Sequence, residues 1–163
     1  REFTSMAMLR LQNEPRLAAR YGEAAEAERI AILSEIIRLE PPVAHLYRRV
    51  HAQSPGCPYP SQTLVDIDVR ASNRDAEIFA PQPADMCAER NLPAGERTGL
   101  SFGDGAHRCP GSHLAMMETD VLLRALLRAG ARVEGEPRRD FDTLVQGYQL
   151  RDVRLSFSRA DEP

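Results

Sequence analysis

Cysteine is scarce in this sequence of 163 residues, and lysine is absent. The three cysteines, Cys57, Cys87 and Cys109, are widely spaced and odd in number, and no signal peptide is recognised. This usage argues against the disulfide framework of a small secreted protein. No run of 18 apolar residues occurs, so no transmembrane helix is expected. A reducing cytoplasm fits these features best.

The charge of the chain is nearly balanced, with 21 arginines against 24 acidic residues. The arginines are spread along the sequence and the net charge is -3, so neither a nucleic-acid nor a membrane partner is indicated. Hydrophobic residues make up 42% and charged residues 28%, the balance of a soluble globular protein. The length suits one domain with a real core, predicted over 1–163.

Three stretches have the apolar periodicity of helices. Pro15 divides the first stretch, which predicts one helix ending near Asn13 and another starting at Pro15. A second periodic run covers Glu23 to Leu39. The third periodic stretch predicts a helix over Ser112 to Arg128, closed by Gly130.

Strand patterns are fewer, which predicts a mainly α fold with a small β component. Thr63 to Val69 alternates like a strand with one wet face, and 54–62 before it is turn material. Two strand-like runs, Thr143 to Leu150 and Val153 to Phe157, close the chain. Residues 76–100 contain several prolines and little periodicity, and so long an irregular segment in a compact domain is usually functional.

The decapeptide FGDGAHRCPG, residues 102–111, places Cys109 just before the helix predicted over Ser112 to Arg128. The unpaired N–H groups and the positive dipole end of that helix favour a thiolate over a thiol. The neighbouring glycines allow turns closed to other residues and a close approach of the backbone to a flat ligand. A thiolate held in such a loop suits a metal or an electrophile.

Three other interpretations of Cys109 are open at this point. Free cysteine is among the most buried residue types, so it could be a small apolar side chain beside a helix cap. His107, Cys109 and His113 could bind zinc, although structural zinc usually takes four ligands and no second pair has suitable spacing. Cys109 could also be a nucleophile with His107 as its base, although such partners usually meet only in the fold.

The spacing within the decapeptide is specific. Phe102, Gly105, Cys109 and Gly111 match the pattern F-x-x-G-x-x-x-C-x-G, which resembles the haem-binding loop of the cytochrome P-450 monooxygenases. The resemblance implies that Cys109 is the proximal ligand of haem iron, where thiolate donation favours O–O cleavage. It implies haem b, iron protoporphyrin IX, as the cofactor. His107 stands where members of the family commonly hydrogen-bond a haem propionate.

A second match lies upstream, in the family's order. Glu35 and Arg38 form an E-x-x-R pair on one face of a predicted helix, which by itself is usually a solvated salt bridge of little value. The segment LEPPVAHLYR that follows resembles bacterial members of the family. Arg48 falls ten residues after Arg38, where the family places an arginine on the other haem propionate.

A third match covers the irregular region. The sequence ASNRD at 71–75 resembles the A-A-N-R-D of the family, and the proline-rich stretch after it resembles the loop called the meander. Pro83, Met86 and Arg90 match P-x-x-F-x-x-x-R, except that methionine replaces phenylalanine. The resemblance implies that Arg90 completes a network with the E-x-x-R pair, which is costly unless every partner is present.

The resemblance covers the C-terminal two-fifths of a bacterial-type member, so the chain is expected to be truncated. Residues Phe3 to Asn13 resemble the last turns of the long distal helix. The acid-alcohol pair of that helix would precede residue 1, so no catalytic residue is assigned. Pro42 to Tyr47 is the part expected to line a substrate pocket. The missing distal half would leave an apolar face that favours self-association.

By resemblance, the chain is a haem-thiolate monooxygenase that inserts oxygen into a small organic substrate and takes electrons from a ferredoxin-type partner. Two alternatives follow from the truncation. One is a haem-binding protein without monooxygenase activity. The other is a structural or interaction protein without haem, in which Cys109 is a buried thiol.

Overall fold

The computed structural model describes residues 1–51, 56–144 and 146–158, and the predicted turn at 54–62 and strand at 143–150 each include residues outside these ranges. The elements in chain order are α1 Glu2–Asn13, α2 Pro15–Glu23, α3 Glu26–Leu39, β1 His45–Arg49, β2 Leu64–Asp68, α4 Val69–Ser72, α5 Ala76–Phe79, α6 Ser112–Arg128, β3 Ala131–Val133, β4 Arg138–Asp142, β5 Gly147–Arg151 and β6 Leu155–Phe157.

The prediction of a mainly helical fold with a small β component is confirmed. Pro15 begins α2 directly after α1, and α6 has the predicted bounds. The helix predicted over Glu23 to Leu39 begins at Glu26 instead, because α2 continues to Glu23 and the two alanines between the helices are extended. None of the helices in the described ranges is long and apolar enough to cross a bilayer.

Helix α3 is the centre of the molecule. Every residue from Ala31 to Leu39 is buried, including Glu35 and Arg38. A helix buried on all sides is enclosed by other elements, and α3 packs against α1, α2 and α6. Together these helices and β3 bury the main hydrophobic core, whose members are Phe3, Ala7, Met8, Leu11, Tyr21, Ile32, Leu33, Ile36, Ile37, Met116, Leu123, Ala131 and Val133.

The strands form three antiparallel pairs, β1 with β2, β3 with β6 and β4 with β5. Strand β1 was not predicted from the sequence, and it pairs in a register that sets His45 opposite Asp68. An isolated bridge between Val43 and Gly147 joins the chain just before β1 to the β4–β5 hairpin. Successive side chains of a strand point to opposite faces, so Leu46 and Arg48 share one face of β1.

A buried ion pair that the sequence did not reveal joins α3 to α6. Arg29 donates from Nε and Nη2 to the two carboxylate oxygens of Asp120, at 2.8 and 3.0 Å. The Tyr21 hydroxyl on α2 donates to the same carboxylate at 2.6 Å. Tyr21, Arg29 and Asp120 are all buried, so three helices meet at one carboxylate.

The ionisation of this cluster follows from its contacts. Burial alone would raise the pKa of Asp120, but the hydrogen bonds from Arg29 and Tyr21 outweigh it and hold the pKa below its ordinary value. Burial, followed by the hydrogen bond to Asp120, raises the pKa of Tyr21 well above its ordinary value. Asp120 is therefore charged and Tyr21 neutral at physiological pH.

Replacing Asp120 by Asn is expected to lower the free energy of unfolding at pH 7 by about 3 to 5 kcal/mol, because the Arg29 charge then stays buried without its partner. Urea unfolding measures the loss. The difference from wild type should shrink below about pH 4, because a carboxylate with a lowered folded pKa stabilises only while it is ionised.

Glu28→Gln is the matched control. Glu28 also pairs with an arginine, Arg20, at 2.6 Å, but both side chains are well exposed. Its loss should cost less than about 1 kcal/mol. Equal losses for the two variants would contradict the importance of the buried pair.

Candidate functional site

The largest described cavity lies between α1, α3, β1, the Cys109 loop and α6, and it has a volume of about 780 Å³. This volume is in the range of sites for small molecules and cofactors. Most of its wall is apolar, with side chains from Phe3, Met8, Ile37, Pro42, Val43, Leu46, Phe102, Ala115, Leu122, Leu126, Val153 and Leu155. The polar groups on the wall include the thiol of Cys109 and the basic side chains of Arg48 and His107.

The Cys109 loop is closed by its own backbone. The N–H of Cys109 donates to the carbonyl of Phe102 at 2.8 Å, so the two ends of the eight-residue segment 102–109 meet. Gly103 adopts φ +71°, which glycine tolerates best, and a Cβ there would lie 3.4 Å from the His107 carbonyl oxygen. The loop is therefore narrow, and Cys109 stands at its end as an exposed free thiol.

Helix α6 starts three residues after Cys109, at Ser112, with Gly111 as its N-cap. No side chain in the described part of the molecule caps this end of the helix. A Cβ on Gly111 would lie 3.9 Å from the Cys109 sulfur, so Gly111 keeps the space beside the thiol open. The helix start and the thiol are thus close neighbours, as the sequence predicted.

The structure brings together most of the predicted cofactor-binding residues. Cys109, Phe102, His107 and Arg48 all lie on the wall of the cavity. Gly105 and Gly111 shape the loop behind them, at the start of a single 3-10 turn and at the N-cap of α6. Within 42–47, the segment predicted to line a substrate pocket, Pro42, Val43 and Leu46 are also on the wall.

The predicted pair on α3 is fully buried and holds much of the irregular loop. Arg38 donates from Nε and Nη2 to the two oxygens of Glu35, at 2.7 and 2.8 Å. Its Nη1 also donates to the carbonyls of Asn73 and Pro83, both at 2.7 Å, and its Nη2 to that of Asp85 at 3.2 Å. Since Asn73, Pro83 and Asp85 lie outside α3, on two separate segments, Arg38 ties both segments to the helix.

Arg90, within the irregular segment 76–100, completes this cluster. Its Nε lies 3.5 Å from a carboxylate oxygen of Glu35, an ion-pair distance without a hydrogen bond. Its Nη atoms donate to backbone carbonyls of the preceding segment, which are those of Phe79, Ala80, Pro81, Gln82 and Asp85. The Cys87 N–H donates to the second Glu35 oxygen at 3.0 Å, so the carboxylate is bonded on both oxygens. The predicted association of Glu35, Arg38 and Arg90 is present.

Asn73 extends the cluster toward the Cys109 loop, a role that the sequence pattern did not show. Its side-chain amide donates to the Arg38 carbonyl and the Ser101 hydroxyl, each at 2.9 Å, and its Oδ1 accepts the Leu100 N–H at 2.7 Å. Ser101, next to Phe102, donates in turn to the Ile37 carbonyl at 2.8 Å. The base of the Cys109 loop is therefore bonded to α3.

These features suit one kind of occupant. In the described part of the chain, no group of three or more His, Cys, Asp or Glu side chains is placed to hold a metal ion. The cavity offers instead one cysteine and a long apolar wall. Its basic lining residues are Arg1, Arg48 and His107, and one acid, Glu118, is also on the wall. That donor set fits a flat, mostly apolar cofactor with a metal of its own and carboxylate substituents.

Comparison with known proteins agrees with this geometry. The family model for Cytochrome P450 matches residues 30–133. Erythromycin C-12 hydroxylase of Saccharopolyspora erythraea is 30% identical over 123 residues, which are 72% of this chain and 30% of that protein. Cytochrome P450 144 of Mycobacterium tuberculosis is 34% identical over 106 residues, which are 64% of this chain and 24% of that protein. The chain thus spans less than a third of the length of these curated relatives.

Solved structures show the same fold. Cytochrome P450-153 from Novosphingobium aromaticivorans matches with a TM-score of 0.74 and 28% identity, over 95% of this chain and 50% of that one. A post-tailoring hydroxylase involved in himastatin biosynthesis matches with a TM-score of 0.76 and 28% identity, over 96% of this chain and 42% of that one. The family match covers more than half of this chain and includes both the α3 pair and the Cys109 loop. This chain belongs to the cytochrome P450 family.

Replacing Gly99 by Ala should disrupt the base of the Cys109 loop. A Cβ at Gly99 would lie 2.2 Å from Asn73 Oδ1, and the residue has φ +54°. The combination of backbone strain and steric conflict is expected to lower the free energy of unfolding by about 2 to 4 kcal/mol. Chemical denaturation measures it.

Gly22→Ala provides the matched comparison. Gly22 lies in α2, and nothing is within 4 Å of the position of its Cβ. Alanine there should be neutral or stabilising by up to about 1 kcal/mol. Tolerance of alanine at both positions would show that Asn73 is free to move.

Proposed function

We propose that residues 1–163 act as one domain that binds haem in the large cavity, with Cys109 as the proximal iron ligand, as in a cytochrome P450 monooxygenase. The observation that carries this proposal is the position of the Cys109 thiol on the wall of a cavity of about 780 Å³ that Arg48 and His107 also line. Bound haem would supply oxygen activation, which thiolate donation assists.

The chain itself would contribute the binding and orientation of this group. The hydrogen bond from the Cys109 N–H to the Phe102 carbonyl closes the loop and holds Cys109 at its end. The apolar side chains of the wall would exclude water from the cofactor's faces.

Arg48 and His107 are proposed to receive the two propionates. Both line the cavity, and a basic side chain is a natural partner for a carboxylate. Arg48 donates only to the neighbouring Tyr47 carbonyl, at 2.9 Å, among the hydrogen bonds of the described residues. Its guanidinium therefore keeps donors for a ligand.

Cys109→Ser tests the iron ligand. The full chain is loaded with haem, reduced and exposed to carbon monoxide. The wild type should give the red-shifted Soret band of thiolate-bound haem, and Cys109→Ser should lose it because a hydroxyl is a poor replacement for a thiolate. An unchanged band in the variant would refute the assignment.

Cys87→Ser is the control for this experiment. Cys87 is the half-buried cysteine whose backbone N–H, not its sulfur, bonds Glu35, so serine keeps that bond. The Soret band should stay as in the wild type. A loss in both variants would indicate a general effect of removing a thiol.

Arg48→Leu tests the propionate contact. It should weaken haem binding roughly tenfold, since one charge-assisted hydrogen bond is lost. Fluorescence or absorbance titration with haemin measures the affinity. Arg49→Leu is the control, because Arg49 is the next residue on β1 and donates instead to the Gln62 carbonyl, at 3.0 Å. Equal affinities of the two variants would contradict a propionate role for Arg48.

Monooxygenation of a small organic substrate, driven by a ferredoxin-type redox partner, is the activity proposed for the site. Substrate turnover with such a partner tests it. Haem uptake without turnover would favour the alternative of a haem-binding protein, and no uptake would favour a structural protein.

Self-association over an apolar face stays a prediction, which sedimentation of the purified chain can test. Leu114, Val121 and Leu122 of α6 are well exposed and would supply such a face.

A further inference from the structure

A second cavity, of about 340 Å³, lies between α1 and the β4–β5 hairpin. It has no lining residue in common with the haem cavity. Its apolar wall consists of Met6 and Leu9 from α1 and of Phe141 and Leu150 from the hairpin. The remaining lining residues are Glu40, Arg70, Arg139, Asp140, Tyr148 and Gln149. The volume is enough for a small organic molecule.

Arg70 is the distinctive polar group of this second cavity. Its guanidinium carbon lies over the ring of Tyr148, 4.4 Å from the centroid. Its Nε is buried and has no hydrogen-bond partner, and in the described ranges Arg70 forms no ion pair. An arginine stacked on an aromatic ring keeps the edge of its planar fork free for a bidentate anion.

The other charges near the cavity do not supply that anion. Glu40 already accepts a hydrogen bond from Arg10 at 3.0 Å. Asp140 pairs with Arg138 and Arg151, at 3.2 and 3.8 Å. The acids of the wall are thus engaged by arginines other than Arg70.

Two further arginines add positive charge to this region. Arg139 is on the wall of the cavity. Arg74 lies beside Arg70, and its Nη1 donates to the Arg70 carbonyl at 3.3 Å. Burial, then the charges of Arg70 and Arg38, lower the pKa of Arg74. Arg70, Arg74 and Arg38 thus place positive charges near one another, which favours an anion in this region.

We propose that the second cavity binds a small apolar molecule that carries a carboxylate. The carboxylate would pair with the Arg70 fork beside Tyr148, and the apolar body would lie among Met6, Leu9, Phe141 and Leu150. This site shares no lining residue with the haem cavity.

The experiment compares two probes that share a phenylbutyl skeleton and differ in the head group, a carboxylate or a hydroxyl. 4-Phenylbutyrate and 4-phenylbutan-1-ol are titrated into the full chain by calorimetry. The acid should bind at least about tenfold more tightly than the alcohol, since only the carboxylate can form a bidentate ion pair with the guanidinium. Arg70→Gln should weaken the acid at least about tenfold and leave the alcohol nearly unchanged. Arg132→Gln, which removes an exposed arginine outside this cavity, should have no effect.

Two further variants serve as controls. Arg70→Lys keeps the charge and should keep the fold, but it loses the planar fork and should bind the acid several-fold more weakly. Arg48→Gln, in the haem cavity, should not change the affinity. The proposal is overturned by equal affinity for acid and alcohol, by unchanged acid binding in both Arg70 variants, or by a loss confined to Arg48→Gln. Haem uptake is measured separately, so this result and that of the haem proposal can be told apart.

Discussion

The buried carboxylate of Glu35 is the interaction on which much of the remaining structure depends. It receives two hydrogen bonds from Arg38 and one from the Cys87 backbone, and Arg90 lies at ion-pair distance. Removing any one partner would leave a charge in the interior, which costs far more than an exposed pair gains. The irregular segment after α5 therefore has its path set by a few arginine donors instead of by helices or sheets of its own.

This constraint reaches the haem site through short connections. Arg38 lies one helical position from Ile37, whose carbonyl accepts the Ser101 hydroxyl, and Ser101 adjoins Phe102. Asn73 bonds both Ser101 and the Arg38 backbone. On the other side, Arg29 on the same helix fixes α6 through Asp120. Helix α3 thus supports both the base of the Cys109 loop and the helix that follows the loop.

Sequence alone was enough where local chemistry decides the outcome. Pro15 marks a helix start, and Ser112 to Arg128 was correct at both ends because periodicity and Gly130 agree. Sequence alone did not predict the elements and contacts that depend on a partner distant in the sequence. Strand β1 depends on β2, and nothing in HLYRR identifies that partner. Asp120 looked like one more polar helix residue, since Tyr21 and Arg29 lie more than 90 residues away. The glycine and cysteine spacing of the loop was informative because a family keeps it. By contrast, the hydrogen bonds that join Asn73 to α3 and to the base of the Cys109 loop are evident only in the structure.

Arg38 and Arg90 hold the meander by its main-chain carbonyls, and this has a consequence for how such a loop can diverge. Every residue type presents the same carbonyl oxygen, so the side chains between Pro81 and Arg90 are largely unconstrained by these bonds. Met86, which stands where the family pattern has phenylalanine, packs against the main core without disturbing them. The path of the loop is thus determined largely by two arginines. Arg38 lies on α3, distant from the loop in sequence, and Arg90 lies in the loop itself. The other side chains of the loop can therefore be substituted without loss of these hydrogen bonds.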